Sequence, residues 1–176
     1  MLNQIHIEEI TSLDANTLHS LSELLCRVVN EGASIGFLPP LEEEEALGYW
    51  REILQAGIVL WVAIEDGRII GTVQLHLAQK ANATHRAEIA KLMVDPDYRR
   101  KGISRLLMQA AERRAAAEER SLLVLDTRSG DPSNHLYLSL GFVEAGRIPG
   151  YARSADGELH ETVYYYKRLT YAGDLL

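Results

Sequence analysis

One stretch of this chain fixes a parallel step in its sheet. AEIAKLMV (87–94) is an apolar run stopped by Asp95-Pro96, residues 102–119 carry apolar side chains at helical spacing, and LLVLDT (122–127) is a second apolar run. Two strands joined through a helix of that length lie parallel, and the crossover is right-handed. Just upstream, IVLWVAIED (58–66) and RIIGTVQLHLAQ (68–79) meet at Asp66-Gly67. Asp-Gly between β-rich runs is a hairpin signal, so the neighbouring strands are antiparallel. A hairpin feeding a parallel crossover demands a mixed sheet.

The remaining elements fit around that step. Residues 2–9 alternate as a first strand. From about Asp14 to Asn30, Leu18, Leu21, Leu25 and Val28 recur at helical spacing, and GASIGFLPP (32–40) is a loop. A second helix is expected to start after Pro40 and run to Gln55, ended by Gly57, with Glu42 to Glu45 solvated in its first turns. The third helix directs Ile103, Leu106, Leu107, Ala110 and Ala117 to the core. PSNHLYLSL (132–140) reads as a short fourth helix, and GFVEAGRI (141–148) and ELHETVYYYKRL (158–169) as final strands. The Tyr164–Tyr166 run reads as a strand packed on both faces. This is an α+β fold with a mixed sheet of about seven strands and four helices. With no repeat or low-complexity segment, residues 1–176 read as a single domain.

Charge and composition exclude several function classes. The chain of 176 residues carries a net charge of −7, which opposes nucleic acid and anionic membranes as partners. Lys and Arg nevertheless crowd between Arg99 and Arg120, a local site suited to a small anion. The single cysteine, Cys26, excludes an intrachain disulfide and a cysteine zinc cluster, and its apolar helical setting reads as a buried, inert thiol. His160-Glu161 begins like H-E-x-x-H, but Tyr164 takes the second ligand position. His76, His85 and His135 lack ligand spacing, so no metal is expected. MLNQIHIEEI lacks a basic segment and apolar core, and no apolar run approaches the ~20 residues of a membrane span. A cytoplasmic protein is expected. No G-x-G-x-x-G or G-x-x-x-x-G-K-[ST] sequence is present.

The loop Arg99-Arg100-Lys101-Gly102-Ile103-Ser104 sits between strand and helix, where backbone N–H groups and the helix dipole favour a pyrophosphate. It resembles the [QR]-x-x-G-x-[GA] motif of the GNAT N-acetyltransferase superfamily. Tyr137-Leu138-Ser139-Leu140-Gly141-Phe142 is similar to that family's second signature, an aromatic followed after three residues by Gly-Phe. Order, separation and flanking strands agree over residues 2–169. Ser104 stands where the family has Gly or Ala, and Gly130 replaces an asparagine often found seven residues before the tyrosine. Within the superfamily, GASIGF (32–37), RAEIAKLMV (86–94), LDT (125–127), PGY (149–151) and DGELH (156–160) resemble the tabtoxin-resistance acetyltransferases, which acetylate a small β-lactam amino acid.

The resemblance implies a GNAT-type fold and direct attack of a primary amine on acetyl-CoA, the acetyl donor. Arg99, Arg100, Lys101, Gly102, Ile103 and Ser104 would hold the pyrophosphate. Leu92, Met93 and Val94 would pair with the pantetheine arm as an added strand, with an oxyanion donor from that segment. Asn134 and Tyr137 complete the cofactor side. Tyr137 matches the family's general acid, although an aromatic packed on the helix's core face explains it too. Glu88, eleven residues before Arg99, matches a glutamate that serves some members as base, or it pairs with Arg86 or Lys91. Asp126, finishing a buried strand, competes with Glu88 as base or binds the substrate ammonium. By analogy Gly32 to Phe37 and Tyr151 line the acceptor pocket. The implied partner is a small-molecule amine, the implied role toxin or antibiotic resistance, and the protein a monomer or homodimer. A peptide amine acetyltransferase and a non-catalytic acyl-CoA-binding regulatory domain are the alternatives.

Overall fold

The computed structural model describes residues 5–170. In chain order the elements are β1 (His6–Ile10), α1 (Ala15–Asn30), α2 (Glu43–Arg51), β2 (Ile58–Glu65), β3 (Arg68–Leu77), β4 (Arg86–Val94), a 3₁₀ turn (Pro96–Tyr98), α3 (Ile103–Ala117), β5 (Leu122–Arg128), α4 (Ser133–Ser139), β6 (Val143–Arg153) and β7 (Leu159–Arg168). The seven strands form one sheet in the order β1-β2-β3-β4-β5-β7-β6. The pairing of β4 with β5 is parallel, and every other pairing is antiparallel.

Each face of the sheet is covered by helices. On one side Leu21, Leu25 and Val28 of α1 and Trp50 of α2 pack on Leu60, Val62 and Met93. On the other, Ile103, Leu107, Met108, Ala111 and Ala115 of α3 pack on Val73, Leu75, Ile89 and Leu123. Burial on both faces is why β2 reads as an unbroken apolar run rather than an alternating one. Each large apolar side chain so buried contributes about 1.5–3 kcal/mol.

Two boundaries and the buried face of one helix differ from the expectation. Residues 2–4 of the expected first strand lie outside the described residues. Helix α2 stops at Arg51, because the Glu52 N–H turns back to the Tyr49 and Trp50 carbonyls and the Gln55 side chain caps Glu52 O at 2.7 Å; Gly57 lies in the turn entering β2. On α3, Leu106 and Ala117 face solvent, and Met108, Ala111 and Ala115 complete the buried stripe. Strand β6 continues through Pro149-Gly150-Tyr151 to Arg153. As an edge strand, with its register shifted between Ile148 and Ala152, it tolerates a proline.

Candidate active site

Strands β4 and β5 pair at only three positions, Arg86↔Leu122, Ala87↔Leu123 and Glu88↔Val124. Beyond Glu88 they diverge, and two connected cavities open between them. The smaller, about 380 Å³, is walled by Ala33–Gly36, Glu88–Leu92, Asp126–Arg128, Tyr151 and His160–Thr162. The larger, about 710 Å³, runs along Leu92–Val94, the loop at Arg99 and Arg100, and the start of α3 to Leu136 of α4. Tyr137, Leu92, Arg128, Asp131 and Ser133 line both.

The larger cavity has the features of a nucleotide cradle. Arg100 and Gly102 both adopt left-handed backbone, at φ 64° and 79°, which turns the chain sharply before α3. A Cβ on Gly102 would meet nothing within 4 Å, so glycine is required there by its φ and not by space. Past Glu88, β4 has no strand partner on its β5 side, leaving a strip of backbone to which an extended arm can add. Arg99, Arg100, Gly102, Ile103, Ser104, Leu92, Met93 and Val94 all line this cavity. The Met93 and Ile103 side chains are buried in the two cores, so those residues present backbone. These features fit coenzyme A.

Lys101 and Asn134 stand outside that lining. The Lys101 ammonium lies 4.5 Å over the Tyr98 ring and 3.7 Å from Glu65. The Asn134 amide donates to the Arg128 and Asp131 carbonyls (2.9 and 2.8 Å), and its oxygen accepts from the Tyr165 hydroxyl (2.8 Å). The basic crowd divides in the same way. Arg99, Arg100 and Arg105 reach the cavity, whereas Arg114 pairs with Glu9 and Glu118 and Arg120 clamps the Ala78 and Thr84 carbonyls.

The smaller cavity gathers the carboxylates. The parallel register puts Glu88 beside Val124, and alternation then puts Asp126 on the same face. Asp126 is exposed to the cavity, unlike the buried Leu125 before it, and its carboxylate accepts from Thr162 Oγ1 at 2.8 Å. Glu88 forms no ion pair among the described residues, with Arg86 or with Lys91. Desolvation, then the Asp126 charge, raises the Glu88 carboxyl above the usual glutamate range. His160 and Glu161 on this wall are occupied by Asp156 (2.8 Å) and Arg147 (3.2 Å). Among the described residues no group of three His, Cys, Asp or Glu is placed to hold a metal, and no helix is long and apolar enough to cross a membrane.

Tyr137 stands where the cavities meet. Its ring packs between Phe142 and Tyr165, at centroid distances of 6.0 and 5.9 Å. Its hydroxyl makes no hydrogen bond among the described residues. Burial, then the charges of Asp126 and Asp131, push the phenol well above its ordinary value, so it remains a proton donor throughout the neutral and mildly alkaline range.

Three residues that hold the site escape a sequence reading. The buried Asp95 accepts from Arg27 (2.9 Å) and Arg68 (3.1 Å) and caps the 3₁₀ turn through Asp97 N–H (3.0 Å), joining α1 and β3 to the phosphate loop. Arg128 donates to Asp131 (3.0 Å), Ser154 Oγ (2.9 Å) and Gly32 O (3.3 Å). Lys91 donates to Ile35 O (2.6 Å). The only local signal is a charged residue at a strand end for Asp95 and Arg128, and for Lys91 a charge inside an apolar run.

Comparison with known proteins agrees with this geometry. The acetyltransferase (GNAT) family matches residues 24–142. An uncharacterized N-acetyltransferase from the hisH-hisA intergenic region of Azospirillum brasilense is 30% identical over 130 residues, 72% of this chain and 77% of that protein. N-acetylaspartate synthetase of Xenopus tropicalis is 31% identical over 119 residues, 64% of this chain; the match spans only 43% of the synthetase. The structure of yncA from Salmonella typhimurium with its cofactor acetyl-CoA superposes with a TM-score of 0.79 at 18% identity, covering 97% of each chain. At that identity the likeness is one of fold.

Proposed function

The chain belongs to the acetyltransferase (GNAT) family and is an N-acetyltransferase; on that premise we propose that it acetylates the primary amine of a small, amino-acid-like molecule by direct attack. The observation that carries this reading is the buried phenol of Tyr137, which lines both the cofactor-sized and the acceptor-sized cavity. Acetyl-CoA, when bound, supplies the acetyl group as a thioester. The loop 99–104 holds the pyrophosphate through backbone N–H groups and the charges of Arg99 and Arg100. The free backbone of Leu92–Val94 aligns the pantetheine arm and directs an N–H at the carbonyl oxygen.

An amine with pKa near ~10 arrives protonated at neutral pH. Glu88, its carboxyl raised above the usual glutamate range by desolvation and then by the Asp126 charge, accepts its proton, while Asp126, held by Thr162, attracts the ammonium. Tyr137 Oη then donates a proton to the departing sulfur.

A cavity of about 380 Å³ suits an acceptor of amino-acid size. The blocks that resemble the tabtoxin-resistance branch favour an amino-acid β-lactam, and with it a role in toxin or antibiotic resistance. The name of the N-acetylaspartate synthetases also points to an amino-acid acceptor. The same reading makes this a cytoplasmic, single-domain enzyme, working without a metal as monomer or homodimer. Thiol release from acetyl-CoA across a panel of amino acids, amino-acid β-lactams and peptides tests it. Turnover with small amines is expected. Turnover with peptides alone would replace it with a peptide acetyltransferase, and CoA binding without turnover with any amine, with a regulatory domain.

A further inference from the structure

Strand β4 carries a bulge beside the acceptor cavity. Its pairing with β3 jumps from Gln74↔Ala90 to Thr72↔Met93, so Lys91 and Leu92 together oppose Val73. Lys91 is the residue that absorbs the irregularity, in left-handed backbone at φ 51°. That conformation sends its side chain across the open edge of the sheet to the loop between α1 and α2. There Nζ donates to Ile35 O at 2.6 Å and stands 5.8 Å from the centre of the Phe37 ring. Gly36, between them, has φ 92°, and a Cβ on it would come within 3.1 Å of that Nζ. The loop's conformation and the ammonium's position are therefore mutually fitted.

We propose that Lys91 is a positioning residue that latches the loop 33–37, whose residues 33–36 wall the acceptor cavity, to the β4 bulge. The latch is anchored at its far end. Phe37 packs edge-on against Tyr49 of α2 (5.2 Å), and the Tyr49 hydroxyl accepts from Gln74 Nε2 (2.8 Å), back on β3 beside the bulge. A hydrocarbon of the same length could fill the space but could not bind the Ile35 carbonyl. The ammonium is spent on that carbonyl and the ring, and Lys91 forms no ion pair with a carboxylate among the described residues. Glu88 and Asp126 consequently keep their charge for an incoming ammonium, while Lys91 limits their mutual repulsion from a distance. This role rests on the assignment of the smaller cavity to the acceptor.

Hydrogen exchange of the full chain, followed by mass spectrometry, reads the latch without any turnover. In Lys91→Met, which keeps the stem and the backbone preference, exchange at 33–37 should rise about tenfold, the scale of a lost charge-assisted hydrogen bond. Exchange in β3 should stay unchanged, and Lys91→Arg should keep 33–37 protected within about threefold. Should Lys91→Met fail to fold, Phe37→Leu carries the test, with a rise of about threefold expected. Unchanged exchange at 33–37 in the folded variant overturns the proposal. With an accepted amine in hand, Lys91→Met should raise acceptor KM about tenfold with kcat and acetyl-CoA affinity within about twofold; a fall in kcat at unchanged KM overturns it as well. Absence of turnover in the unmodified protein would sink the proposed function and leave the exchange result to decide the latch.

Discussion

Replacing Tyr137 with Phe isolates one proton. The ring is 6% exposed and packs on Phe142 and Tyr165, contacts that phenylalanine keeps. Because the hydroxyl has no hydrogen-bond partner among the described residues, no protein bond is lost, and stability should change by less than about 1 kcal/mol. Catalysis should change far more. A positioned general acid contributes roughly 10²–10⁴-fold, or about 2.7–5.4 kcal/mol of barrier at 1.36 kcal/mol per decade. Burial raises the phenol, which alone would weaken it as an acid. The same dry junction raises the thiol of the leaving group as well, since both acids are neutral and both conjugate bases are anions. Their difference, which governs the transfer, is thereby largely preserved. The raised phenol also places no alkaline limb from this residue on the rate below pH ~10. Thiol release under saturating substrates measures kcat, CoA titration measures affinity, and a melt measures stability. Unchanged kcat in Tyr137→Phe would refute the acid role, and a fall accompanied by lost CoA affinity would refute the claim that the hydroxyl acts only on the proton.

Glu88→Gln should abolish the acid limb of kcat/KM, which in the unmodified enzyme should fall as pH drops through a value above the ordinary glutamate range. Because folding raises this carboxyl, the folded state binds its proton more tightly than the unfolded chain; the stabilisation is full below the unfolded value near pH ~4.3 and is lost as pH rises through the folded value. At pH 7 the ionised group opposes folding, so Glu88→Gln should melt higher than the parent, and a lower melting temperature would contradict the cause assigned to the shift. Gly102→Ala should weaken CoA binding about fivefold, from about 1 kcal/mol of strain at φ 79°, and Gly102→Glu should abolish it; equal affinity in all three proteins would remove the cradle assignment. Asp95→Asn should cost about 3 kcal/mol in a denaturant melt by uncoupling Arg27 and Arg68, and an unchanged midpoint would show that the ion triad is not holding the loop.

The parts of the fold that periodicity encodes were legible in the sequence. The Asp66-Gly67 hairpin, most of the α3 stripe and the parallel step from β4 to β5 follow from apolar spacing and turn residues; the register Glu88↔Val124 within that step then puts Glu88 and Asp126 on one face. Boundaries set by local competition were not legible. Helix α2 ends where the Gln55 amide outcompetes the next helical turn, and β6 runs on because an edge strand admits Pro149. In the site, Lys101 looks identical to its arginine neighbours until the fold brings Glu65 and Tyr98 to it, and Asn134 is consumed by the backbone of its own turn. The bulge at Lys91 has no sequence mark, since nothing about a lysine in an apolar run announces left-handed backbone.

The residues that escaped the sequence share a physical task. Where β4 and β5 separate, the ladder that would fix their spacing is missing, yet proton transfer at Tyr137 and Glu88 requires that spacing to be held within about 0.5 Å. Side chains replace the ladder. Asp95 fixes the phosphate loop to α1 and β3, Arg128 joins the end of β5 to Gly32 and Ser154, and Lys91 holds Ile35. The partners lie 68, 96 and 56 positions away along the chain for the Arg27–Asp95, Arg128–Gly32 and Lys91–Ile35 contacts, distances over which no local pattern can signal a contact. Each tie uses a charged group on a backbone carbonyl, a hydroxyl or a buried counter-ion, bonds about twice as strong as neutral ones. A sheet opened to admit two substrates is thus kept rigid by long-range polar contacts; substitutions in the Asp95 and Arg128 ties should slow the reaction through geometry, and loss of the Lys91 tie should weaken acceptor binding, with the reacting groups intact in each case.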